Sequence, residues 1–206
     1  CYYGAQNGQG KRKEDTLMAG EITVKSYFEE TVPKLFGEQL KAKPVPGMEG
    51  TEFTLQFNVT GGGGGLYGIV VKDGKEIKVT SGQIPNPLIE IEVAENDWRE
   101  TVSGKAEGVM DNFMKPERTS KKLFDVVKET KGLLILALTK DDGGVFQSKI
   151  KFNGADKPAT TIKMKVADYV LMNQGKLAGP AAFMAGKMKI EGDMGFAMKL
   201  GKFMGA

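Results

Sequence analysis

The chain has 206 residues, of which 40% are hydrophobic and 27% are charged, and its formal net charge is +3. This length and composition are ordinary for a folded protein with a hydrophobic core, and they exclude an intrinsically disordered chain. Lysine and arginine are interleaved with acidic residues, which argues against nucleic acid as a partner, because dedicated nucleic-acid-binding proteins concentrate their basic residues.

The N-terminal region is predicted to contain a polar tail followed by a helix. Residues 1–20 are polar and rich in glycine. From Ser26 to Leu40 the apolar residues recur at helical spacing, and serine is a residue type that caps helix starts. Pro33 lies inside this stretch, and we expect it to kink or split the helix.

Strands are predicted to follow this helix. In residues 53–59 and 89–93, apolar residues alternate with polar ones at period two, which is typical of half-buried strands. The predicted strands are residues 53–59, 66–72, 76–80 and 89–93. Asp73-Gly74, between the second and third of them, is typical of a two-residue hairpin turn. A short helix is then predicted from Asp97 to Ser103.

The second half of the chain repeats this plan. The corresponding segments are Thr54–Thr60 and Leu133–Thr139, Gly64–Tyr67 and Gly143–Phe146, and Asp97–Trp98 and Asp168–Tyr169. Because these matches occur in the same order, they predict a duplicated α+β unit. We expect a tail at residues 1–20, a first unit at 21–117 and a second unit at 118–206.

The last quarter of the chain is predicted to form a strand followed by an unusually apolar helix. In the strand, Met188 and Ile190 share one face, while charged residues occupy the other. Asp193 is well placed to cap a helix that begins at Met194. Because almost every face of this helix is apolar, it must cover a core, a hydrophobic ligand or a membrane.

Three further motifs have contexts that favour structural roles. Gly61–Gly65 precedes a strand instead of a helix that begins with Lys-Ser/Thr, so it predicts a flexible hairpin loop and not a phosphate site; a mobile lip over a ligand entrance is the alternative. Gly104 and Gly175 are each followed by lysine at the end of a predicted helix, as helix caps are. Glu90 and Glu92 point outward from a strand, which indicates a solvated face and not a calcium site.

The C-terminal region resembles the sterol carrier protein 2 (SCP-2) family. The resemblance is strongest over residues 160–204, where Asp168–Lys176 and Ala182–Leu200 carry it, and weaker over residues 26–105. It implies an α+β fold in which helices cover a five-stranded, largely antiparallel sheet around an apolar tunnel. Because a block at Glu107–Thr139 separates the two portions, the copies either form tandem domains or merge into one larger body.

The resemblance also implies a ligand site. SCP-2 domains hold fatty acids, acyl-CoA, sterols or phospholipids, and the C-terminal helix commonly closes the tunnel. The residues of this chain that would line or cap it are Phe183, Met184, Met188, Ile190, Met194, Phe196, Met198, Leu200 and Phe203.

The leading hypothesis is therefore non-catalytic binding and transfer of a hydrophobic lipid. The sequence contains no histidine and a single cysteine, Cys1, so it lacks the commonest general base and metal ligand. We accordingly expect no enzymatic activity, no cofactor and no metal. The alternatives are an accessory domain of a larger enzyme or assembly, and a scaffold subunit whose own side chains fill the interior.

Partners and compartment follow from the same observations. Lys187, Lys189, Lys199 and Lys202 would either attract an anionic membrane surface transiently or simply maintain solubility. A protein partner stays open. The chain ends without a peroxisomal Ser-Lys-Leu signal, so we expect a cytoplasmic protein, while a processed or lipid-tethered Cys1 stays open.

Overall fold

The computed structural model describes residues 22–103, 109 and 120–204. The strands are β1 (Glu52–Thr60), β2 (Gly65–Lys72), β3 (Glu76–Ser81), β4 (Ile89–Ala94), β5 (Gly132–Thr139), β6 (Val145–Phe152), β7 (Ala159–Lys165) and β8 (Met188–Gly192). The helices are α1 (Val24–Ser26), α2 (Val32–Ala42), α3 (Glu95–Val102), α4 (Lys121–Lys128), α5 (Val166–Asn173), α6 (Gly179–Met184) and α7 (Met194–Met204).

The described strands form a single eight-stranded sheet in the order β3-β2-β1-β4-β6-β5-β7-β8. Neighbouring strands are antiparallel except in the pairs β1–β4 and β5–β7, which are parallel. This confirms the predicted α+β fold with a largely antiparallel sheet. Because β4 pairs directly with β6, one sheet spans both halves of the chain.

The sheet contains two overlapping groups of five strands with the same sequence of directions. The first group is β3-β2-β1-β4-β6 and the second is β4-β6-β5-β7-β8, so the two groups share β4 and β6. In each group a hairpin is followed by a strand parallel to its first member. Each half therefore supplies one strand that completes the group of the other half, while the duplication and the unit boundaries stay predictions.

The strand register tests the proposed correspondences between the halves. Thr60 pairs with Ala94 and Thr139 pairs with Lys165, and each partner stands three residues before the aspartate of the following helix. The correspondence of Thr54–Thr60 with Leu133–Thr139 and that of Asp97 with Asp168 therefore agree with each other. Tyr67 pairs with Phe57, whereas Phe146 pairs with Leu138, so the second correspondence is displaced by two positions, because the two hairpin loops differ in length.

The helices and one face of the sheet enclose a continuous hydrophobic core. In the first half, Phe28 stacks on Tyr67 with ring centroids 4.6 Å apart, and it also contacts Phe57 and Trp98. In the second half, the fully buried residues include Phe146, Ile150, Leu200 and Tyr169. The opposite sheet face carries Glu92, which pairs with Lys149, as its outward position in the predicted strand implies.

The connection from β3 to β4 crosses the outer face of the sheet. Ile84 donates its N–H to Gln56 Oε1 at 2.8 Å, and Leu88 donates to Thr54 Oγ1 at 2.9 Å. A Cβ atom on Gly68 would lie 2.2 Å from Ile84 Cγ2, so only glycine fits beneath this crossover. Gln56 is consequently buried, although its strand pattern places it on the outer face.

The first helix begins earlier than predicted. Thr23, and not Ser26, is its N-cap: the Thr23 side chain accepts a hydrogen bond from the Ser26 N–H, and the Ser26 hydroxyl accepts one from the Thr23 N–H. A π-helical stretch, Tyr27–Thr31, connects α1 to α2. Pro33 is the second residue of α2 and directly follows the π-helical stretch, so the helix changes its hydrogen-bonding pattern before the proline instead of breaking.

Candidate functional site

The candidate site is formed by the C-terminal cover, which we define as α6, β8 and α7. Asp193 caps α7 as predicted, because its Oδ1 accepts a hydrogen bond from the Phe196 N–H at 2.7 Å. The buried face of α7 carries Phe196, Ala197 and Leu200. Phe196 meets Phe152 of β6 edge to face, with ring centroids 6.3 Å apart. The helix thus closes over the sheet with one apolar face.

Strand β8 places its apolar face toward the core, as predicted. Met188 is buried and lies opposite Met164 of β7, and Ile190 is partly buried opposite Ile162. Met172 of α5 is also buried in this core. Methionine is flexible and polarizable, so an interior that contains three methionines can adapt its shape more readily than one built from branched side chains.

The structure separates the nine predicted ligand-site residues into two groups. Met188, Phe196 and Leu200 are buried, and Ile190 is partly buried. The exposed fractions of the outward group are 46% for Phe183, 87% for Met184, 44% for Met194 and 70% for Met198. The side chain of Phe203 lies outside the described part of the structure. A tunnel lined by this set stays a prediction.

The outward residues lie at opposite ends of β8. Met184 ends α6, which precedes the strand, whereas Met194 begins α7, which follows it. Five residues of strand span about 15 Å. The exposed side chains of α6 therefore precede the strand, and those of α7 follow it.

A salt bridge fastens the C-terminal cover to α5. Lys187, just before β8, donates to Asp168 Oδ1 at 2.7 Å, and the Asp168 side chain is only 13% exposed. The Lys187 N–H also donates to the Ala182 carbonyl. These two contacts hold the junction between α6 and β8 in place.

The corresponding aspartate of the first half forms a similar contact. Lys140, in the turn before β6, donates to Asp97 Oδ1 at 3.3 Å and to Glu100 Oε2 at 2.9 Å, and the Gln147 N–H donates to Asp97 Oδ2. Glu100 and Asp97 raise the pKa of Lys140. In both halves, therefore, an aspartate in the first turn of the helix binds a lysine that precedes the next antiparallel strand.

Sequence reasoning recognised the two aspartates as equivalent but missed their lysine partners. The partners lie 43 residues from Asp97 and 19 residues from Asp168. This difference arises because one lysine comes from the other half and one from the same half. Each lysine precedes a strand that pairs antiparallel with the strand leading into the helix of its aspartate. This shared position was the signal that could have identified the two lysines.

The glycine-rich loop at residues 61–65 connects the antiparallel strands β1 and β2, which confirms the predicted hairpin, and it contacts α3; its flexibility stays a prediction. Glu95 Oε2 accepts a hydrogen bond from the Gly63 N–H at 2.7 Å, while Glu95 Oε1 binds the Arg99 guanidinium. The Arg99 side chain and the Gly63 N–H lower the pKa of the Glu95 carboxyl group. Arg99 also donates to the Ile22 carbonyl, so the loop is connected to the start of the first helix.

Other predicted features have clear positions. Gly175 adopts a φ of 70° and ends α5, as a helix cap should, whereas Gly104 lies outside the described residues. Among the residues that the structure describes, no group of three or more cysteine, aspartate or glutamate residues could hold a metal ion. Within the same residues, no helix is long and apolar enough to cross a membrane.

Comparison with known proteins associates the C-terminal region with one family. Residues 115–205 match the model of the SCP-2 sterol transfer family. Hydroxysteroid dehydrogenase-like protein 2 of Homo sapiens is 38% identical over 88 residues, which are 39% of this chain and 21% of that protein. The Xenopus laevis protein of the same name is 31% identical over 115 residues, 52% of this chain and 27% of that protein. The chain thus spans about a fifth to a quarter of the length of these relatives.

Solved structures of sterol carrier proteins are also similar to parts of the chain. Sterol Carrier Protein 2 from Yarrowia lipolytica, in its apo form, is 15% identical, with 50% of this chain and 88% of that chain covered and a TM-score of 0.36. Sterol Carrier Protein 2 Like 2 from Aedes aegypti is 22% identical, with 35% and 72% covered and a TM-score of 0.30.

Proposed function

We propose that this chain, whose residues 115–205 belong to the SCP-2 sterol transfer family, binds a hydrophobic lipid without catalysing a reaction on it. The family match carries the proposal. The ligand classes to which it points are fatty acids, acyl-CoA, sterol-like molecules and phospholipids. Holding such a ligand requires mainly burial of apolar surface, which contributes about 0.8 kcal/mol per CH₂ group.

The distribution of apolar side chains supports a site in the second half. Of the eight large hydrophobic side chains that are exposed among the described residues, five lie between residues 171 and 198. All of these five except Leu171 belong to the C-terminal cover. Beneath the cover, Met164, Met172 and Met188 provide the adaptable side chains that ligands of variable shape require.

The first half has a different interior. Phe28 stacks on Tyr67 and on Trp98 there. Such rings are more rigid than methionine side chains, and Met48 is the one buried methionine among residues 22–103. We therefore expect one ligand per chain, bound in the second half.

Native mass spectrometry of gently purified protein, followed by lipid extraction, tests this proposal. We expect one adduct of a few hundred daltons per chain, or stoichiometric loading when the protein is mixed with cis-parinaric acid, a fluorescent fatty acid. A protein that stays free of ligand after incubation with fatty acid, sterol and acyl-CoA would overturn lipid binding and favour the scaffold alternative.

Matched variants test the location of the site. Ile190 and Ile77 are both isoleucines on the core-facing side of an edge strand, and both are partly buried. Ile190→Trp is expected to reduce the affinity for cis-parinaric acid at least about tenfold, because the larger ring occupies space beneath the C-terminal cover. Ile77→Trp should leave the affinity unchanged. Equal effects would show that the ligand does not bind in the second half.

A second candidate is an accessory module of a longer protein. It is favoured by the relatives named hydroxysteroid dehydrogenase-like protein 2, in which the matching segment makes up about a fifth of the length. In this role the chain would hold a lipid for a neighbouring domain. The complete coding sequence tests this candidate. An open reading frame that continues into a second folded domain supports the module. A start codon directly before residue 1 together with a stop codon directly after residue 206 contradicts it.

A further inference from the structure

The charge of the chain is distributed unevenly between its two halves. Residues 22–103 contain 8 basic and 12 acidic residues, a net charge of −4, whereas residues 120–204 contain 15 basic and 8 acidic residues, a net charge of +7. The small overall charge hides this asymmetry. A basic half with an exposed apolar element is typical of proteins that bind anionic surfaces.

Helix α7 is apolar on two sides. Its inward side carries Phe196, Ala197 and Leu200, which are buried in the core. Met194 and Met198 stand one helical turn apart on the outward side, 44% and 70% exposed. Residues four apart lie on the same face of a helix. The two methionines therefore form a continuous apolar strip that the core does not use.

Two neighbouring segments and the helix itself carry basic residues. A Cβ atom on Gly132 would lie 2.7 Å from the Phe196 ring and 2.5 Å from the Pro158 carbonyl oxygen, so the segments that contain Lys131 and Lys157 pass next to Phe196 of α7. Both lysines are exposed, and neither forms a salt bridge with the described residues. Within α7, Lys199 donates to the Glu129 carbonyl at 3.2 Å.

The acidic groups near the strip differ in how they are paired. Asp193, at the start of α7, accepts the Phe196 N–H as the helix cap. Asp156 is paired with Lys151, which leaves Lys157 available. Glu191, at the end of β8, is paired with Lys163. Lys199 binds the backbone carbonyl of Glu129 and not its carboxylate, so Glu129 and Asp193 keep their negative charges. The positive charge that favours an anionic surface is therefore that of residues 120–204 as a whole, +7.

We propose that α7 docks on an anionic lipid bilayer, with Met194 and Met198 inserted among the headgroups and Lys131 and Lys157 next to the lipid phosphates. Two flexible thioether side chains in a basic half of the chain fit a fluid interface, because such a surface needs no shape complementarity. Docking would bring the C-terminal cover against the membrane from which a ligand is taken. Docking requires no bound ligand. Docking can therefore fail while lipid binding succeeds, and lipid binding can fail while docking succeeds.

Cosedimentation of the full chain with sucrose-loaded vesicles measures the docking. We expect binding to vesicles of 70% phosphatidylcholine and 30% phosphatidylglycerol, with an affinity that falls as salt rises, and little binding to pure phosphatidylcholine. Equal binding to both vesicle types, or no binding to either, overturns the proposal.

Paired variants locate the docking surface. The double variant Met194→Gln/Met198→Gln should lower the partition coefficient about tenfold, because it removes the apolar strip. Leu35→Gln on α2, where the side chain is 51% exposed, is the control in the acidic half and should change nothing. Both changes affect exposed side chains, and circular dichroism verifies that the variants are folded. If the α7 variant binds like the unmodified chain, the proposal is wrong.

Charge reversals provide an independent measurement. Lys131→Glu/Lys157→Glu should lower the partition coefficient at least about fivefold per residue, and Lys34→Glu/Lys41→Glu on α2 should leave it unchanged. A loss of the same size in both pairs would show a general effect of net charge and would contradict docking through α7. Native mass spectrometry of each variant reports ligand binding separately.

Discussion

Lys140→Met should reveal how strongly the two halves depend on each other. Lys140 belongs to the turn before β6, and its partners Asp97 and Glu100 belong to α3. The exposed side-chain fractions are 20%, 13% and 29%, respectively. Solvent-exposed pairs contribute about 0–1 kcal/mol, and loss of one partner from a fully buried pair costs about 3–5 kcal/mol. For this half-buried network we expect a loss of about 2 kcal/mol in the free energy of unfolding.

A double-mutant cycle isolates the interaction. Methionine keeps most of the apolar stem of Lys140, and Asp97→Asn keeps an acceptor for the Gln147 N–H. Urea unfolding of the single and double variants should give a coupling energy of about 1 kcal/mol or more. Lys149→Met is the control, because its pair with Glu92 is 50% and 41% exposed, and it should cost less than about 0.5 kcal/mol.

The result that would refute this reasoning is a coupling energy near zero. Lys140 would then contribute no more than an exposed lysine, and the contact between α3 and the β5–β6 turn would have no energetic significance. A cost in Lys149→Met as large as that in Lys140→Met would have the same meaning, because burial would then not determine the strength of these pairs.

Three further predictions concern packing and pH. Gly68→Ala should lower the free energy of unfolding by about 1–3 kcal/mol in urea, because its Cβ would overlap Ile84; unchanged stability would contradict the crossover. Arg99 and the loop amide lower the pKa of Glu95, so its stabilising contribution is present above the unfolded pKa of about 4.3 and is lost as pH falls through the folded value. The difference in urea midpoint between the unmodified chain and Glu95→Gln should therefore close at acidic pH, and a constant difference would oppose this. Burial raises the pKa of Tyr27 to about 12, so stability should fall as pH rises from about 10 toward 12, and a 295 nm titration in which Tyr27→Phe removes no late-titrating group would contradict the assignment.

Local chemistry made several elements predictable from the sequence. The Asp73-Gly74 turn, with φ values of 55° and 64°, and the Asp193 cap of α7 each depend on residues that are adjacent along the chain. Period-two alternation likewise predicted β8 and its core-facing side. The resemblance to SCP-2 domains was recognisable for the same reason, because it rests on a continuous run of residues near the C-terminus.

Only the tertiary structure decided how these elements combine. The pairing of β4 with β6, which merges both halves into one sheet, depends on contacts between residues about 60 positions apart, and no local pattern encodes it. The same holds for the side chains of the candidate site. Met188 and Met198 are equally hydrophobic, yet one is buried beneath the C-terminal cover and the other is 70% exposed. The sequence determines which side chains share a face of a helix or strand, whereas burial depends on what the rest of the chain places against that face.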